Sequence, residues 1–229
     1  MNEPLILHIE TATSMCSVAL SAGNELLALK ELNERNVHAS QITLFIDEVI
    51  KTSQKSYTDL DAIAVSKGPG SYTGLRIGVS TAKGLCFALD IPLIAVNTLE
   101  AMANGLIHSQ SQIIDDSLLC PMIDARRMEV YTAIFDLNLD EIEGVSAKIL
   151  DEHSFEEYFS DRTLIFFGDG AEKTRKLYAY VAGYRYVEFE NSASHMIQLA
   201  YKKFQESGFE NMAYFEPYYL KDFIAGIKK

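Results

Sequence analysis

The 229-residue sequence has no tryptophan, three cysteines and five prolines. Nowhere does it offer the ~18 uncharged apolar residues that a membrane-spanning helix needs. Basic residues are scarce too: 20 Lys and Arg stand against 32 Asp and Glu, a formal net charge of −12. The deficit is shared, with 7 basic and 11 acidic residues over 1–100 and 13 and 21 over the rest. It is steepest in Asp136–Glu157, where eight carboxylates face Lys148 alone. Such a balance excludes a protein that grips nucleic acid unaided, because phosphate binding rests on Lys and Arg. Cys16, Cys86 and Cys120 are an odd number, lack CxxC spacing and sit in apolar runs. They point to reduced, core-packed thiols in a cytoplasmic protein. Met1-Asn2-Glu3-Pro4 brings no basic region ahead of an apolar run that His8 and Glu10 soon interrupt, so neither a secretory leader nor a membrane association is expected. What is present, 48% hydrophobic and 23% charged residues, is ordinary globular composition with chain enough for one large domain or two small lobes.

Leu5–Glu10, Met15–Ser21 and Glu25–Glu31 read as three short strands joined by tight polar turns, an antiparallel meander. Ile42, Phe45, Ile46, Val49 and Ile50 then mark a helix by their i, i+3, i+4, i+7, i+8 spacing, with Leu44 on the opposite face. A fourth strand is expected at Asp61–Lys67, a second helix at Thr73–Leu89 and a fifth strand at Pro92–Val96. The order β-β-β-α-β-α-β implies a mixed α/β sheet whose later strands run parallel. The polar stretch His108–Ser117 divides an N-terminal lobe (1–107) from a second lobe (108–229). In the second lobe, strands are expected at Leu118–Ile123, Met128–Phe135, Ala147–Leu150 and Leu164–Phe167, and helices at Ala171–Ala179 and Ala193–Glu206. The last helix and Tyr214–Lys221 are candidates to return to the first lobe.

The segment Lys67-Gly68-Pro69-Gly70-Ser71-Tyr72-Thr73-Gly74-Leu75-Arg76-Ile77-Gly78 carries the strongest local signal. It reads as strand, glycine-rich loop and helix start, with Thr73 as the N-cap. Backbone N–H groups at such a helix start suit a phosphate, although the loop lacks the Lys and hydroxyl of GxxxxGK[ST]. The other reading is a tight turn whose glycines permit close packing. Gly74, Gly78 and Ala82 recur every fourth residue, so one helix face lacks bulk. Each interior glycine costs ~1 kcal/mol against alanine, which calls for compensation by close approach of another backbone. Leu75, Ile77, Val79, Leu85, Cys86, Phe87 and Leu89 surround that helix with apolar surface, which predicts burial on two sides. The second cover is either another subunit or this chain's second lobe.

Catalytic groups are scattered. His8, His38, His108, His153 and His195 show no ligand spacing. His8 reads as a core or edge histidine and His38 as a surface or interface residue. Gly70-Ser71-Tyr72-Thr73-Gly74 has too many residues between its glycines for a hydrolase elbow. Glu10, ending the first strand, is the best-placed lone carboxylate.

Three stretches together resemble the TsaB (YeaZ) family, the dimerisation subunit of the bacterial tRNA threonylcarbamoyladenosine machinery. They are Ile9–Thr13 with Cys16–Leu20, Gly68–Gly78, and Asp124-Ala125-Arg126-Arg127-Met128-Glu129-Val130-Tyr131. Pro217-Tyr218-Tyr219-Leu220-Lys221 extends the likeness, with Lys221 where the family usually has Arg and Met128 where it commonly has Gly. The resemblance implies two ribonuclease-H-like lobes of the actin/Hsp70/sugar-kinase-like fold, mixed sheets flanked by helices. The catalytic sister family, TsaD, carries two metal-holding histidines in a segment that here reads Val96-Asn97-Thr98-Leu99-Glu100-Ala101-Met102. Thr98 and Met102 stand at the ligand positions, and a hydroxyl and a thioether do not replace two imidazoles. No intrinsic metal or cofactor is expected.

The function implied is a non-catalytic subunit that binds and stabilises TsaD in the complex adding a threonylcarbamoyl group to the adenosine beside the tRNA anticodon. Its docking face would combine Ile42, Leu44, Phe45 and Val49 with Gly74, Leu75, Gly78, Val79 and Ala82, and would pair with itself in a homodimer when TsaD is absent. TsaE would join through the complex, and tRNA would be contacted mainly by the partner. The resemblance leaves room for ATP or ADP at the complex interface, against Glu10, Thr11, Thr13, Gly70 and Ser71. Arg126 and Arg127 would either touch tRNA or pair with the acidic surface. The rival reading is a nucleotide-dependent enzyme, a small-molecule kinase or a metallopeptidase of the wider superfamily. The Thr98 and Met102 positions weigh against the peptidase and the short chain against the kinase.

Overall fold

The computed structural model describes residues 3–34, 36–109, 116–160 and 162–221. Two five-stranded mixed sheets form its frame. In the first, β1 (Leu5–Glu10), β2 (Met15–Ala22) and β3 (Glu25–Asn33) make the meander. Next come α1 (His38–Thr52), β4 (Ala62–Gly68), α2 (Tyr72–Leu89) and β5 (Leu93–Asn97), and the strand order is β3-β2-β1-β4-β5. β4 pairs parallel with β1 and β5 parallel with β4, because each crossover runs through a helix. β1 is buried along its whole length. Its odd residues, Leu5, Leu7 and Ile9, face α1 and α2, and Ile6 on the other side faces the apolar layer around Ala193 and Met196.

An unanticipated helix, α3 (Thr98–Ser109), links the sheets and packs on β4 and β5 of one and β6 and β7 of the other. Burial on nearly every side erases the polar stripe that would have marked it. Its local signal is the Asn97 side chain, whose Oδ1 accepts from Leu99 N at 2.9 Å and Glu100 N at 3.3 Å. The second sheet holds β6 (Leu118–Asp124), β7 (Glu129–Phe135), β8 (Glu141–Ile149), β9 (Leu164–Phe167) and β10 (Tyr184–Val187), in the order β10-β9-β6-β7-β8. β8 starts six residues before the strand expected at Ala147, since its half-exposed carboxylates and Gly144 blur the alternation. The four-residue α4 (Glu156–Phe159) and the short edge strand β10 carry too little pattern to be read locally.

Two short 3-10 turns, Ala171–Lys173 and Ala193–Met196, lead into α5 (Thr174–Tyr178) and α6 (Ile197–Gln205). α6 lies on β5 and β1 of the first sheet, where Lys203 Nζ donates to Ala95 O at 2.7 Å. The chain then runs along the β5 edge and the end of β4. Glu210 N donates to Leu93 O at 2.8 Å and Tyr218 N to Lys67 O at 2.7 Å, while the Tyr219 ring lies 4.8 Å from that of Tyr72. These bonds occupy carbonyls that an open sheet edge would expose.

α2 departs from its sequence reading in two ways. Ser71, not Thr73, is its N-cap: Ser71 Oγ accepts from Gly74 N at 3.3 Å, and Tyr72 already opens the helix. The helix also buries one face rather than two. Gly74, Leu75, Gly78, Val79, Ala82 and Cys86 point inward, whereas Arg76, Ser80, Gly84, Phe87 and Ala88 are exposed. His38 is buried in the first turn of α1, its Nε2 3.1 Å from Met15 O, and is not the surface or interface residue its position suggested.

Candidate functional site

The β1–β2 turn and the glycine loop meet above the first sheet. Glu10, the last residue of β1, is 1% exposed, and its Oε1 accepts from Ala12 N at 2.6 Å and Ser66 Oγ at 2.9 Å. Burial pushes its carboxyl up to about 7, against the pull of those hydrogen bonds. Thr11 Oγ1 donates to Gly74 O at 2.9 Å, across 63 residues of sequence, and Ser71 N donates to Ala12 O at 2.6 Å. A methyl group on Gly74 would lie 2.1 Å from Thr11 O, and one on Gly78 would lie 2.2 Å from Thr11 Oγ1. The small residues of α2 therefore exist to let the β1–β2 turn sit directly on the helix.

In that packing two of the backbone donors at the helix start are engaged within the chain. Ser71 N is spent on Ala12 O, Gly74 N on Ser71 Oγ, and Ala12 occupies the space over Gly70. Thr11 is fully buried and Glu10 would set a carboxylate beneath any anion. Of the five residues expected there, Thr13 lines the cleft between the two sheets, and its Oγ1 accepts from Met15 N at 3.2 Å.

The same packing holds most of the residues expected on the docking face. Eight of the nine expected residues, Ile42, Phe45, Val49, Gly74, Leu75, Gly78, Val79 and Ala82, are buried inside this chain. Leu44 is the exception at 58% exposed. α1 and α2 are in contact, and α2 brings Phe87, 81% exposed, to the same side of the sheet. Around Phe87 the exposed residues Ser80, Gly84 and Ala88 are small, and a methyl on Gly84 would meet nothing within 4 Å. The exposed stripe was legible in the sequence as a second four-residue spacing, Ser80-Gly84-Ala88, one helix face away from the one first noticed.

Thr98 and Met102 stand one turn apart on α3, both buried. Met102 Cε packs so closely on Gly168 that a methyl there would lie 2.3 Å away. A hydroxyl and a thioether enclosed this way do not fit a metal ion, and the described residues hold no cluster of three or more His, Cys, Asp or Glu arranged for one. His8 is buried and His195 half-buried, and desolvation lowers them to about 3 and about 4. Each leaves Nδ1 without a partner among the described residues. Arg126 and Arg127 occupy the exposed tip of the β6–β7 hairpin, both with positive φ, and neither forms an ion pair among the described residues. No helix of the described residues is long and apolar enough to cross a membrane.

Comparison with known proteins adds a family. The family described as TsaD, tRNA N6-adenosine threonylcarbamoyltransferase, matches residues 25–228. Over 128 residues the chain is 41% identical to the tRNA threonylcarbamoyladenosine biosynthesis protein TsaB of Escherichia coli (strain K12), covering 56% of this chain and 53% of that one. The chain spans about half the length of the curated relatives it matches. A solved Pseudomonas aeruginosa protein described as similar to the peptidase YeaZ superposes with a TM-score of 0.82 at 21% identity, over 95% of this chain and 100% of that one. An inorganic polyphosphate/ATP-glucomannokinase from Arthrobacter sp. strain KM superposes with a TM-score of 0.50 at 10% identity, over 90% of this chain and 100% of that one. Both likenesses concern the fold alone, two mixed-sheet lobes flanked by helices.

Proposed function

This chain belongs to the TsaD family of tRNA N6-adenosine threonylcarbamoyltransferases, and on that premise we propose that it is a non-catalytic subunit of a complex making threonylcarbamoyladenosine in tRNA. The observation that carries this reading is exposed apolar bulk on α1 and α2, two helices in contact. Leu44 of α1 is 58% exposed and Phe87 of α2 81%, and Ser80, Gly84 and Ala88 leave the outer side of α2 without bulk. Apolar side chains beside a bulk-free helix surface suit a packed protein interface, and a net charge of −12 does not suit direct tRNA binding. The partner is a TsaD protein, which supplies the metal and most contact with tRNA. Alone, the same face pairs with a second copy in a homodimer. TsaE joins through the assembled complex, and ATP or ADP binds at a subunit junction rather than in the closed glycine loop. The setting is the cytoplasm.

Co-expression with TsaD followed by size exclusion tests the reading. Wild-type chain should elute with TsaD, and the double variant Leu44→Asp, Phe87→Asp should elute alone while melting like wild type. Undiminished co-elution of the variant would place the interface elsewhere.

A further inference from the structure

The tip of the β6–β7 hairpin carries positive charge that the acidic chain does not neutralise. Arg126 and Arg127 are both exposed there, and neither side chain has an ion pair or hydrogen-bond partner among the described residues. The sequence left them two roles, and their surroundings remove one. Asp124, just before the tip, accepts at Oδ1 from Lys173 Nζ and from Arg126 N, both at 2.6 Å. Glu129, just after it, is paired with Lys221. Asp169 Oδ1 accepts from Asp124 N at 2.9 Å. Asp151, beyond the end of β8, accepts from Ser154 Oγ at 2.8 Å and His153 N at 2.9 Å. Each of these carboxylates has a partner of its own, so the arginines do not serve to balance the acidic surface.

The hairpin is held from several directions. Lys173 Nζ also donates to Glu129 O at 2.7 Å, Glu129 N donates to Arg126 O at 3.1 Å, and Leu150 N donates to Met128 O at 2.7 Å. Lys173 comes from the turn ahead of α5 and Lys221 from the C-terminal segment, so two distant stretches bring cations to the base of one hairpin. With both flanking carboxylates neutralised by lysines, the two arginines are a local excess of positive charge on a chain of −12. Arg126 and Arg127 also have φ of 71° and 45°, a region that glycine or asparagine enters at less cost. Two arginines in succession there keep a pair of exposed guanidiniums on a strained backbone.

We propose that Arg126 and Arg127 hold the phosphodiester backbone of an RNA. This rests on the reading above, in which the chain works in a complex whose substrate is tRNA. Guanidiniums meet phosphate oxygens through paired N–H donors, and such contacts position a nucleic acid without reading its sequence. The hairpin is one edge of a larger footprint, most of which lies on the partner.

Fluorescence anisotropy of a labelled tRNA transcript with the isolated chain, in ~20 mM to ~100 mM salt, tests this. Weak, saturable binding with a Kd of about 10⁻⁴ M at the lower salt is expected. The double variant Arg126→Gln, Arg127→Gln should weaken it about tenfold and reduce the slope of log affinity against log salt by about 2. Its melting temperature and its co-elution with TsaD should match wild type. Lys202→Gln, exposed on α6, should leave affinity and slope unchanged. The proposal falls if no saturable binding occurs up to ~1 mM, if the double variant binds RNA as wild type does, or if Lys202→Gln weakens binding equally. It falls too if the double variant no longer co-elutes with TsaD, or if a polyglutamate peptide binds as tightly as the transcript with the same sensitivity to the variant. Either result would assign the arginines to an acidic protein surface. Failure of the wild-type chain to co-elute with TsaD would overturn the subunit reading instead, and the measurement on the isolated chain would still decide this one.

Discussion

Gly74 of α2 packs against Thr11 of the β1–β2 turn so closely that the Thr11 side chain bonds back to the Gly74 carbonyl at 2.9 Å. This single contact explains why the helix tolerates glycine at its start.

Gly74→Ala should therefore destabilise the fold by about 1–3 kcal/mol, the usual cost of overpacking, because the new methyl meets backbone oxygen rather than a movable side chain. Gly84→Ala, on the exposed side of the same helix with nothing within 4 Å, should stabilise it by up to ~1 kcal/mol. Urea unfolding of the two variants beside wild type checks the pair. Equal effects would mean that the inner face is not in contact with the turn.

Glu10 makes stability fall as pH rises from about 4.5 to about 7. Its carboxyl ionises near 4.5 in the unfolded chain but near 7 when buried, so over that window the folded state holds the extra proton. His8 and His195 act in the opposite direction. They are lowered from 6.5 to about 3 and about 4, so below 6.5 the unfolded chain takes up protons that the folded chain refuses. Glu10→Gln should remove the first slope alone, making wild type gain relative to the variant between pH 8 and pH 5. Denaturation midpoints of both proteins at the two pH values measure it, and a constant difference would show that Glu10 does not titrate in this window.

The three thiols should be inert in the folded protein. Cys16, Cys86 and Cys120 are all buried, and desolvation pushes them up to about 11, about 12 and about 12. A thiol-disulfide reagent should label none in native buffer and all three in denaturant, since the thiolate is the reactive form. Rapid labelling of any one of them without denaturant would indicate local opening of the strand or helix that carries it.

Self-association should follow the exposed helix face. At micromolar concentration the isolated wild type should sediment as a dimer, and Phe87→Asp should sediment as a monomer with an unchanged melting temperature. A dimer that survives this substitution would have to use another surface.

Much of this was readable from local pattern. The three strands of the meander alternate or run apolar over a few residues, and Ile42, Phe45, Ile46, Val49 and Ile50 mark one stripe of α1. Each such pattern says which side of an element is hidden from water. α3 escaped because it is hidden on nearly all sides, leaving Asn97 as its only punctuation, and β10 because four residues are too few to show a period. The Gly74-Gly78-Ala82 spacing was plain as well, and so was its need for a close neighbour.

Composition and periodicity thus determined the element types, the reduced thiols and the need for something to lie against the bare side of α2. They could not say what that something is. A helix face records only that bulk is unwelcome, and a contact spanning 63 residues is set by how β1, β4 and α2 are ordered in the sheet. The tertiary structure turned the glycines inward onto Thr11, left Leu44 and Phe87 outside, and gathered Lys173 and Lys221 from distant segments to the hairpin that carries Arg126 and Arg127.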